Sequence, residues 1–434
     1  MEPTRETFGN IPPTSQAVFY VLTVLAMGVF AYGLWLRFRM WRRGQPINLL
    51  QLLVGGAKVM WGKIWPGTRR VLVEGLGQQR VRGRGLASSA HIVMFAGFMM
   101  LLLGTTLLEI DHLAAMISPE LSFHRGTYYV IYELTLDVFG LFFLAGCGYF
   151  LWRRTRRPAS VGHRATDWYV LLSFIAIGVT GYLVEGLRIL WQQPQGIAAW
   201  CSPVGLAVSK LFSDLSLADA RSAHWGVWWI HSLLVFGFIA SIPYTRLLHF
   251  ITGPMNLFLA APSLGQLRPV TMEEVELTER IGVSEIGHLT QQQLLSLDAC
   301  MECGRCEEAC PAFATGKPLS PKAVVQDLRG LMEKTFAGGA AKAPALHGET
   351  ISAETLWSCT SCNACVEVCP VRIDQVALIV DLRRHLVSEG GLSGTAATAL
   401  RRMQSAGNPW GLPGNERGAW TAALAPSPTN SDPA

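Results

Sequence analysis

The chain has 434 residues, of which 50% are hydrophobic and only 15% are charged. This apolar surplus excludes a disordered chain and argues against an ordinary soluble domain. The net charge of +5 is modest, and the ten cysteines do not suit a disulfide scaffold because most of them fall in two tight groups of a long chain. The basic loops flank apolar stretches, so we expect no nucleic-acid partner.

Five apolar stretches of about 20 residues are each long enough to cross a bilayer. Trp and Tyr residues lie at many of their ends, as in the aromatic belts of membrane proteins. The predicted spans are residues 17–36, 87–108, 128–152, 168–191 and 225–248. The N-terminal segment lacks the basic region and cleavage site of a signal peptide, so we expect the first span to stay in the mature protein.

Lys and Arg are concentrated in alternate loops, which predicts the orientation. The loops after the first and third spans are strongly basic, with Glu74 and Asp167 as their acidic residues, whereas the other two loops are acidic or balanced. We therefore expect the N-terminus outside and everything after the fifth span inside. Residues 49–73 of the first basic loop are a candidate interfacial helix, although glycines and Pro66 weaken that pattern.

The strongest chemical signal is a pair of cysteine runs, each ending in Cys-Pro. Both read C-x2-C-x2-C-x3-C-P, the pattern that holds [4Fe-4S] clusters in two-cluster ferredoxins, where the fourth Cys of each run ligates the other cluster. One predicted ligand set is Cys300, Cys303, Cys306 and Cys369, and the other is Cys359, Cys362, Cys365 and Cys310. Structural zinc is the alternative, but zinc sites take four ligands from two CxxC knuckles.

Helix signals accompany the cysteine runs. Ser320-Pro321 is an N-cap followed by Pro, and residues 373–388 form a helical pattern that ends at Gly390 and Gly391. We therefore predict an all-α protein, in which a five-helix transmembrane bundle precedes a mainly helical 2×[4Fe-4S] ferredoxin domain. The predicted parts are a membrane domain (1–252), a linker (253–285), the ferredoxin domain (286–400) and a mostly disordered tail (401–434).

Histidines inside the membrane are costly and indicate function. His231 and His249 are about five helical turns apart on the predicted fifth span, so they should share a face and lie roughly 27 Å apart. His91 begins the second span at the depth of His249, and these two imidazoles could ligate one haem b from opposite sides. The alternative is that they are interfacial histidines bonded to lipid headgroups or loops.

The outer half of the bundle permits two interpretations. Glu133 and Asp137 lie four residues apart on the third span, and Glu185 lies near the outer end of the fourth. Such carboxylates suggest proton handling, for instance at a quinone site, or else hydrogen bonds to neighbours such as Arg188. His231 has no evident opposing ligand. We expect structural roles for Cys147 and Cys201 and solvated positions for His163, His288, His347 and His385.

At this point the sequence resembles known families. The five spans and the His pair of the last span are similar to the haem b gamma subunit of respiratory nitrate reductase. The segments ACMECGRCEEACPA, GKPLSPKAVVQDLR and LWSCTSCNACVEVCPV resemble the iron–sulfur part of heterodisulfide reductase-related proteins. Their fusion, followed by GNPWG, is most similar to membrane oxidoreductases linked to electron-transfer flavoproteins.

Two departures qualify what this resemblance implies. The nitrate reductase pattern has a second haem-ligand His on the second span where this chain has Leu101, so we expect one haem b and a second only if His231 has another partner. The fused relatives continue into a region with paired CCG cysteine motifs, which this sequence lacks. The chemistry of a disulfide or flavoprotein partner is then expected on another polypeptide, or else this member only relays electrons.

The sequence therefore predicts an oxidoreductase component in a bacterial or archaeal cytoplasmic membrane. It would relay electrons between a cytoplasmic electron-transfer flavoprotein or CCG-type protein and membrane quinone, through two [4Fe-4S] clusters and haem b. One alternative is a component of a heterodisulfide reductase-type complex, and another is a haem-free membrane iron–sulfur protein for metallocentre assembly. No Gly-rich loop after a strand supports nucleotide binding.

Overall fold

The computed structural model describes residues 4, 7–46, 62, 64–83, 85–156, 165–261, 265–336, 344–392 and 394–424. Within these ranges the structure is helical, and β pairing is limited to isolated bridges. His163, most of the candidate interfacial helix and residues 425–434 lie outside the described residues. The described end of that candidate helix forms an α-helix, Trp65–Arg70, that continues as a π-helix, Val71–Leu76.

Five helices in the described part of the chain are long and apolar enough to cross a membrane, as predicted. They are Pro13–Trp41, Leu86–Ile117, Gly126–Thr155, Ala165–Gln192 and Leu217–Ser241. Each is longer than its apolar stretch, because helical structure continues beyond the part that matches the bilayer. The second helix consequently includes Glu109, Asp111 and His112, which the sequence placed in a loop.

Glycines allow the second and third spans to pack closely. A Cβ atom on Gly97 would lie 2.6 Å from the carbonyl oxygen of Phe139, and one on Gly146 would lie 2.6 Å from Cβ of Met94. Small residues of this kind let membrane helices approach each other and gain van der Waals contact, since lipid supplies no hydrophobic driving force. The third span thereby stays close to the helix that carries His91.

The fifth span ends earlier than predicted, which corrects the argument from helical spacing. The α-helix stops at Ser241, a 3-10 turn covers Ile242–Tyr244, and Thr245 is extended. Pro243 lacks the amide hydrogen that a continuing helix needs. His249 begins a separate helix, His249–Leu259, so it does not share a helix face with His231.

The ferredoxin domain is mainly helical, as predicted. Its longer helices are Gln291–Asp298, Pro321–Phe336 and Gln375–Ser388. The Ser320 hydroxyl caps the second of these by accepting a hydrogen bond from the Ala323 amide at 2.9 Å. Its shorter helices are Arg305–Glu308, Pro311–Ala314, Ala353–Trp357 and Ala364–Glu367. Outside this domain, helix Met272–Thr278 precedes it, and helix Pro203–Lys210 lies in the loop between the fourth and fifth spans.

Two predicted irregular regions contain helical structure. Helix His249–Leu259 runs through Gly253 and Pro254, where the sequence placed the start of a linker. Helix Gly394–Ala406 enters the predicted tail, and a 3-10 helix follows at Gly414–Leu424. These C-terminal helices contribute no buried residue to the core, so composition alone gave little sign of them.

The ferredoxin domain packs directly on the end of the bundle where the first span ends. Met40 and Trp41 of the first span belong to the same buried cluster as the ferredoxin leucines. The Trp41 indole donates to Asp298 at 2.8 Å, and Arg37 pairs with the same carboxylate at 3.4 Å. On the other side, the Asn256 amide donates to the Val371 carbonyl at 2.7 Å. The two predicted domains therefore share one continuous contact surface.

Candidate redox centres

The structure brings the cysteines of the two runs close together. Cys306 lies near Cys300, Cys303, Cys369 and Cys365, and Cys365 lies near Cys359, Cys362 and Cys310. These neighbours include the partners that cross-ligation predicts, and the division of the cysteines between two clusters stays a prediction. Cys306 and Cys365 also pack together in one buried cluster, so the two sets adjoin.

The thiol environment fits iron–sulfur clusters. The Ser361 amide donates to Cys359 Sγ and the Ile373 amide to Cys369 Sγ, each at 3.4 Å, which are the hydrogen bonds that tune cluster potentials. Burial raises the pKa of Cys365 and of Cys369 to about 12, so cluster binding must release their protons. Among the described residues, no three His, Cys, Asp or Glu side chains converge on a position for a single metal ion.

His91 and His249 are neighbours at the end of the bundle that contacts the ferredoxin domain. The His249 Nδ1 atom bonds to the carbonyl oxygen of Arg246 at 2.5 Å, which leaves Nε2 as the ligand atom. Burial lowers the pKa of His249 to about 4, and the neighbouring His91 adds to that effect, so the imidazole is neutral at pH 7. The His91 Nδ1 atom is buried and has no hydrogen-bond partner in the described structure. Two neighbouring imidazoles, one of them fixed by a backbone carbonyl, are residues that would hold a haem iron.

The first cysteine run lies directly against this histidine pair. Arg246 pairs with Glu302 at 2.8 Å and donates to the Met301 carbonyl at 3.3 Å. Arg305 donates to the hydroxyl of Ser88, one turn before His91, at 3.2 Å. The ligand set that includes Cys300 and Cys303 is therefore the one that adjoins the imidazoles.

The π-helical segment secures the end of the second cysteine run. Arg80 donates to the carbonyl oxygens of Glu367 and Cys369 at 2.8 and 3.2 Å, and Arg372 forms two bonds to Glu74 at 2.6 and 2.8 Å. Burial alone would raise the pKa of Glu74, but its bond to Arg372 and the nearby Arg80 hold that pKa below its usual value. Glu74 is therefore ionised at neutral pH.

His231 lies in the middle of the fifth span, away from the histidine pair. Its Nδ1 atom bonds to the Thr180 hydroxyl at 2.9 Å, and a Cβ on Gly181 would lie 3.5 Å from the ring. Leu101 packs in a cluster of phenylalanine rings that includes Phe98 and Phe174. The structure thus supplies His231 with a hydrogen-bonding partner but adds no opposing imidazole among the described residues.

The three carboxylates of the outer half all have polar partners. Arg188 pairs with Glu185 at 2.6 Å and with Glu133 at 3.5 Å. Asp137 accepts the amides of Val204 and Gly205 at 2.9 and 3.0 Å, at the start of helix Pro203–Lys210. This arrangement favours the structural interpretation that the sequence left open, since buried charges are stable when paired and hydrogen-bonded.

The remaining cysteines and histidines have structural environments. Cys147 is fully buried among aromatic rings, and Cys201 donates to the Ala198 carbonyl at 3.1 Å. The predicted solvated positions of His288, His347 and His385 need correction, because all three are only partly exposed. The rings of His347 and His385 lie 4.9 Å apart, and burial lowers the pKa values of His288 and His347.

Sequence reasoning missed the residues that dock the first cysteine run. No motif in the sequence singles out Arg246, Arg305 or Glu302. One signal was available, because the second run has Ser361 and Ala364 where the first has Glu302 and Arg305. Charges that occur in only one of two equivalent motifs indicate different surroundings.

Comparison with known proteins supports the presence of two iron–sulfur clusters. Residues 296–373, which include all eight clustered cysteines, match the 4Fe-4S dicluster domain family. No solved structure matches the chain.

Similarity over nearly the whole chain extends to three curated relatives. The EtfAB:quinone oxidoreductase of Syntrophomonas wolfei is 30% identical over 96% of this chain and 61% of its own length. The probable iron-sulfur-binding oxidoreductase FadF of Bacillus subtilis is 28% identical over 93% of this chain and 60% of its own. The probable membrane-anchored ferredoxin of Chromohalobacter salexigens is 30% identical over 93% of this chain and 58% of its own. The chain thus spans about three fifths of the length of these relatives.

Similarity over about half of the chain connects it to a methanogen protein. A component of the dihydromethanophenazine:CoB–CoM heterodisulfide reductase of Methanosarcina thermophila is 26% identical over 55% of this chain and 89% of its own length. Together with the five apolar helices, these similarities indicate a multi-pass membrane protein. The iron–sulfur part of the predicted resemblance is confirmed, since the chain is similar to proteins named EtfAB:quinone oxidoreductase and iron-sulfur-binding oxidoreductase FadF and to a heterodisulfide reductase component, and it carries a 4Fe-4S dicluster domain. The resemblance to the haem b gamma subunit of nitrate reductase stays a prediction.

Proposed function

We propose that this chain is a membrane electron-transfer subunit that connects a cytoplasmic redox partner to the quinone pool through two [4Fe-4S] clusters and one haem b. The observation that carries the proposal is that the first cysteine run contacts Ser88, in the helix of His91, and Arg246, in the 3-10 turn that precedes His249. A cluster-binding loop and an imidazole pair that adjoin each other suit transfer between their cofactors. When bound, these cofactors take up and release one electron at a time.

The order of the sites supports a linear relay. His91 and His249 adjoin the set that contains Cys306, and Cys306 packs against Cys365 of the other set. At the far end, Thr360, Ser361 and Cys362 are exposed. We assign this exposed loop to the face that meets the soluble partner, since an electron can enter there without crossing the membrane bundle.

The partner and the acceptor follow from the relatives. The name EtfAB:quinone oxidoreductase favours an electron-transfer flavoprotein as the partner and quinone as the membrane substrate. The basic loops favour a cytoplasmic iron–sulfur domain, since Lys and Arg concentrate on the cytoplasmic side. A separate CCG-type protein, as in a heterodisulfide reductase complex, is the second candidate, and the similarity to the Methanosarcina thermophila component favours it.

This proposal assigns structural roles to the carboxylates in the outer half of the bundle. Glu133, Asp137 and Glu185 stabilise the bundle through Arg188 and the start of helix Pro203–Lys210. The inner histidine pair is assigned one haem b, and His231 is not assigned a second. Quinone is assigned to the bundle without a specific residue set.

The test is a reduced-minus-oxidised spectrum of the full chain in detergent, with haem and iron measured per chain. We expect b-type haem in the unmodified protein and its loss in the His91→Ala and His249→Ala variants, while the cluster signals persist. His231→Ala tests the middle of the bundle, and His385→Ala is a control outside the bundle; both should keep the haem. Iron without haem in the unmodified protein would overturn the relay and favour the metallocentre-assembly alternative.

A further inference from the structure

Arg246 connects one imidazole of the candidate haem site to the first cysteine run. Its backbone carbonyl accepts the bond from His249 Nδ1 at 2.5 Å. Its guanidinium pairs with Glu302 at 2.8 Å and donates to the Met301 carbonyl at 3.3 Å, both between Cys300 and Cys303. A single residue therefore fixes the orientation of the imidazole and the position of the ligand loop.

Arg305 makes the corresponding connection to the other imidazole. It lies between Cys303 and Cys306 and donates to Ser88 at 3.2 Å and to the Arg80 carbonyl at 3.1 Å. Ser88 is buried and precedes His91 by one helical turn. The Arg305 charge is also close enough to interact with the His91 imidazole.

The surroundings of Arg246 restrict it to this geometry. Asp167, at the inner end of the fourth span, pairs with the Arg246 Nε atom at 2.6 Å, and its side chain is 2% exposed. A guanidinium held by Asp167 on one edge and by Glu302 on the other has little rotational freedom, because its donors form a rigid planar fork. The pair of contacts therefore connects the fourth span, the histidine segment and the cysteine run.

The second cysteine run serves as an internal comparison. Its backbone repeats that of the first, with Ser361 and Glu302 both at φ 55°. Ser361 and Ala364 occupy the positions of Glu302 and Arg305, and neither side chain can form an ion pair. Since cluster ligation needs no charge at these positions, Glu302 and Arg305 serve another purpose.

We propose that Arg246 and Arg305 are positioning residues for electron transfer between the first cluster and the haem. Each fixes the Cys300–Cys306 loop relative to one imidazole, so together they set the separation and orientation that determine the transfer rate. With both cofactors bound, one electron would pass from the cluster to the haem without any bond forming or breaking, while Arg246 and Arg305 hold the segments that carry their ligands. The inference rests on the proposed function.

The experiment compares Arg246→Gln, Arg305→Gln and the unmodified full chain in detergent. Arg268→Gln is the control, since Arg268 forms an exposed ion pair with Glu274 away from the site. Iron and haem are quantified first. The relaxation of the reduced cluster's electron paramagnetic resonance signal by ferric haem then reports their separation, and rapid mixing with a chemical reductant gives the haem reduction rate.

We expect both Gln variants to retain iron and haem but to lose part of the magnetic interaction and to reduce haem several-fold more slowly. The haem potential should fall, because a positive charge that stabilises the reduced form is removed. Arg246→Lys should keep the potential and still slow the reduction, since Lys keeps the charge but not the planar fork. A variant that keeps the haem potential but slows haem reduction shows that Arg246 acts by positioning the two sites and not only by its charge.

Unchanged magnetic interaction and rate in fully loaded Gln variants would overturn the inference. If a Gln variant does not fold, Glu302→Gln replaces it, because this change weakens the ion pair with Arg246 while preserving the shape of the side chain. An unchanged haem reduction rate in Glu302→Gln would also overturn the inference. If the unmodified protein contains no haem, the proposed function itself is overturned. The haem measurement on the unmodified protein comes first, so this failure is distinguished from a failure of the inference.

Discussion

The two cysteine runs have the same spacing and nearly the same backbone, but their surroundings differ. Glu302 and Ser361 share φ 55°, and Gly304 and Asn363 are both left-handed. Glu302 and Gly304 are buried against the membrane bundle, whereas Thr360 and Ser361 are exposed. The comparison teaches that ligand spacing determines the local loop, while the residues between the ligands determine what the loop contacts.

The same comparison holds just before each run. Asp298 precedes the first run and binds Trp41, Arg37 and Arg329, with its side chain fully buried. Trp357, at the matching position of the second run, is exposed at 37% and stacks under Arg383 with 5.0 Å to the ring centre. The residue before the first run thus contacts the first span, whereas the residue before the second run contacts a side chain of its own domain.

The largest expected effect tests which cysteine belongs to which set. Cys369→Ser should remove the cluster nearest the imidazoles although Cys369 lies in the second run, and Cys310→Ser should remove the other. Each variant should lose about half of the iron, because each cluster has four irons. Iron analysis and the magnetic interaction with haem identify the lost cluster. Cys201→Ser is the control and should lose none, and a reversed pattern would refute cross-ligation.

Removal of the buried carboxylate should weaken the docking of the first run. Asp298→Ala leaves Arg37, Arg329 and the Trp41 indole without their shared partner, which should cost about 3–5 kcal/mol. Hydrogen exchange of helix Gln291–Asp298 measures the loss. Glu333→Gln alters the exposed end of the same network and should cost less than about 1 kcal/mol. Equal losses in the two variants would contradict the assignment of Asp298 as the centre of the contact.

A smaller effect is expected at the matching position of the second run. Trp357→Ala removes the contact with Arg383 and should cost about 0.5–1 kcal/mol, as exposed cation–π pairs do. Arg383 keeps its bond to the Leu356 carbonyl at 2.9 Å, so the loop should loosen only locally. Hydrogen exchange should rise near Cys359 and stay unchanged in helix Gln291–Asp298. A change in that helix would show that the two runs are coupled more tightly than proposed.

The smallest effect is a pH dependence at Glu74. The folded protein holds the pKa of Glu74 below its usual value, so the ionised carboxylate stabilises the fold. This stabilisation is fully present above the ordinary carboxyl pKa of about 4.3. It is lost as the pH falls through the lower pKa of the folded state. Exchange in segment Val71–Leu76 should therefore increase on acidification. Glu74→Gln should show raised exchange at neutral pH and a weaker pH response. An unaltered response in this variant would assign the effect to another group.

The features that depend on local pattern were predictable. Cluster ligation requires closely spaced thiols, so the two runs identified the dicluster domain, and the apolar stretches identified the five spans. Ser320-Pro321 predicted a helix start because capping is a local interaction. The end of the fifth span was missed because hydropathy continues past Pro243, which interrupts the helix without making the segment polar.

Local sequence pattern is enough to identify the iron–sulfur cofactor class, the number of apolar helices and the helical character of the ferredoxin domain, because each follows from neighbouring residues. The folded arrangement of the chain is needed to show that His249 leaves the helix of His231 and meets His91 from a separate helix. It is also needed to show that Glu302 and Arg305 of the first cysteine run contact the segments next to His249 and His91. Both outcomes depend on contacts between residues far apart in the chain, such as Arg305 with Ser88 and Trp41 with Asp298, and no local pattern specifies such pairs.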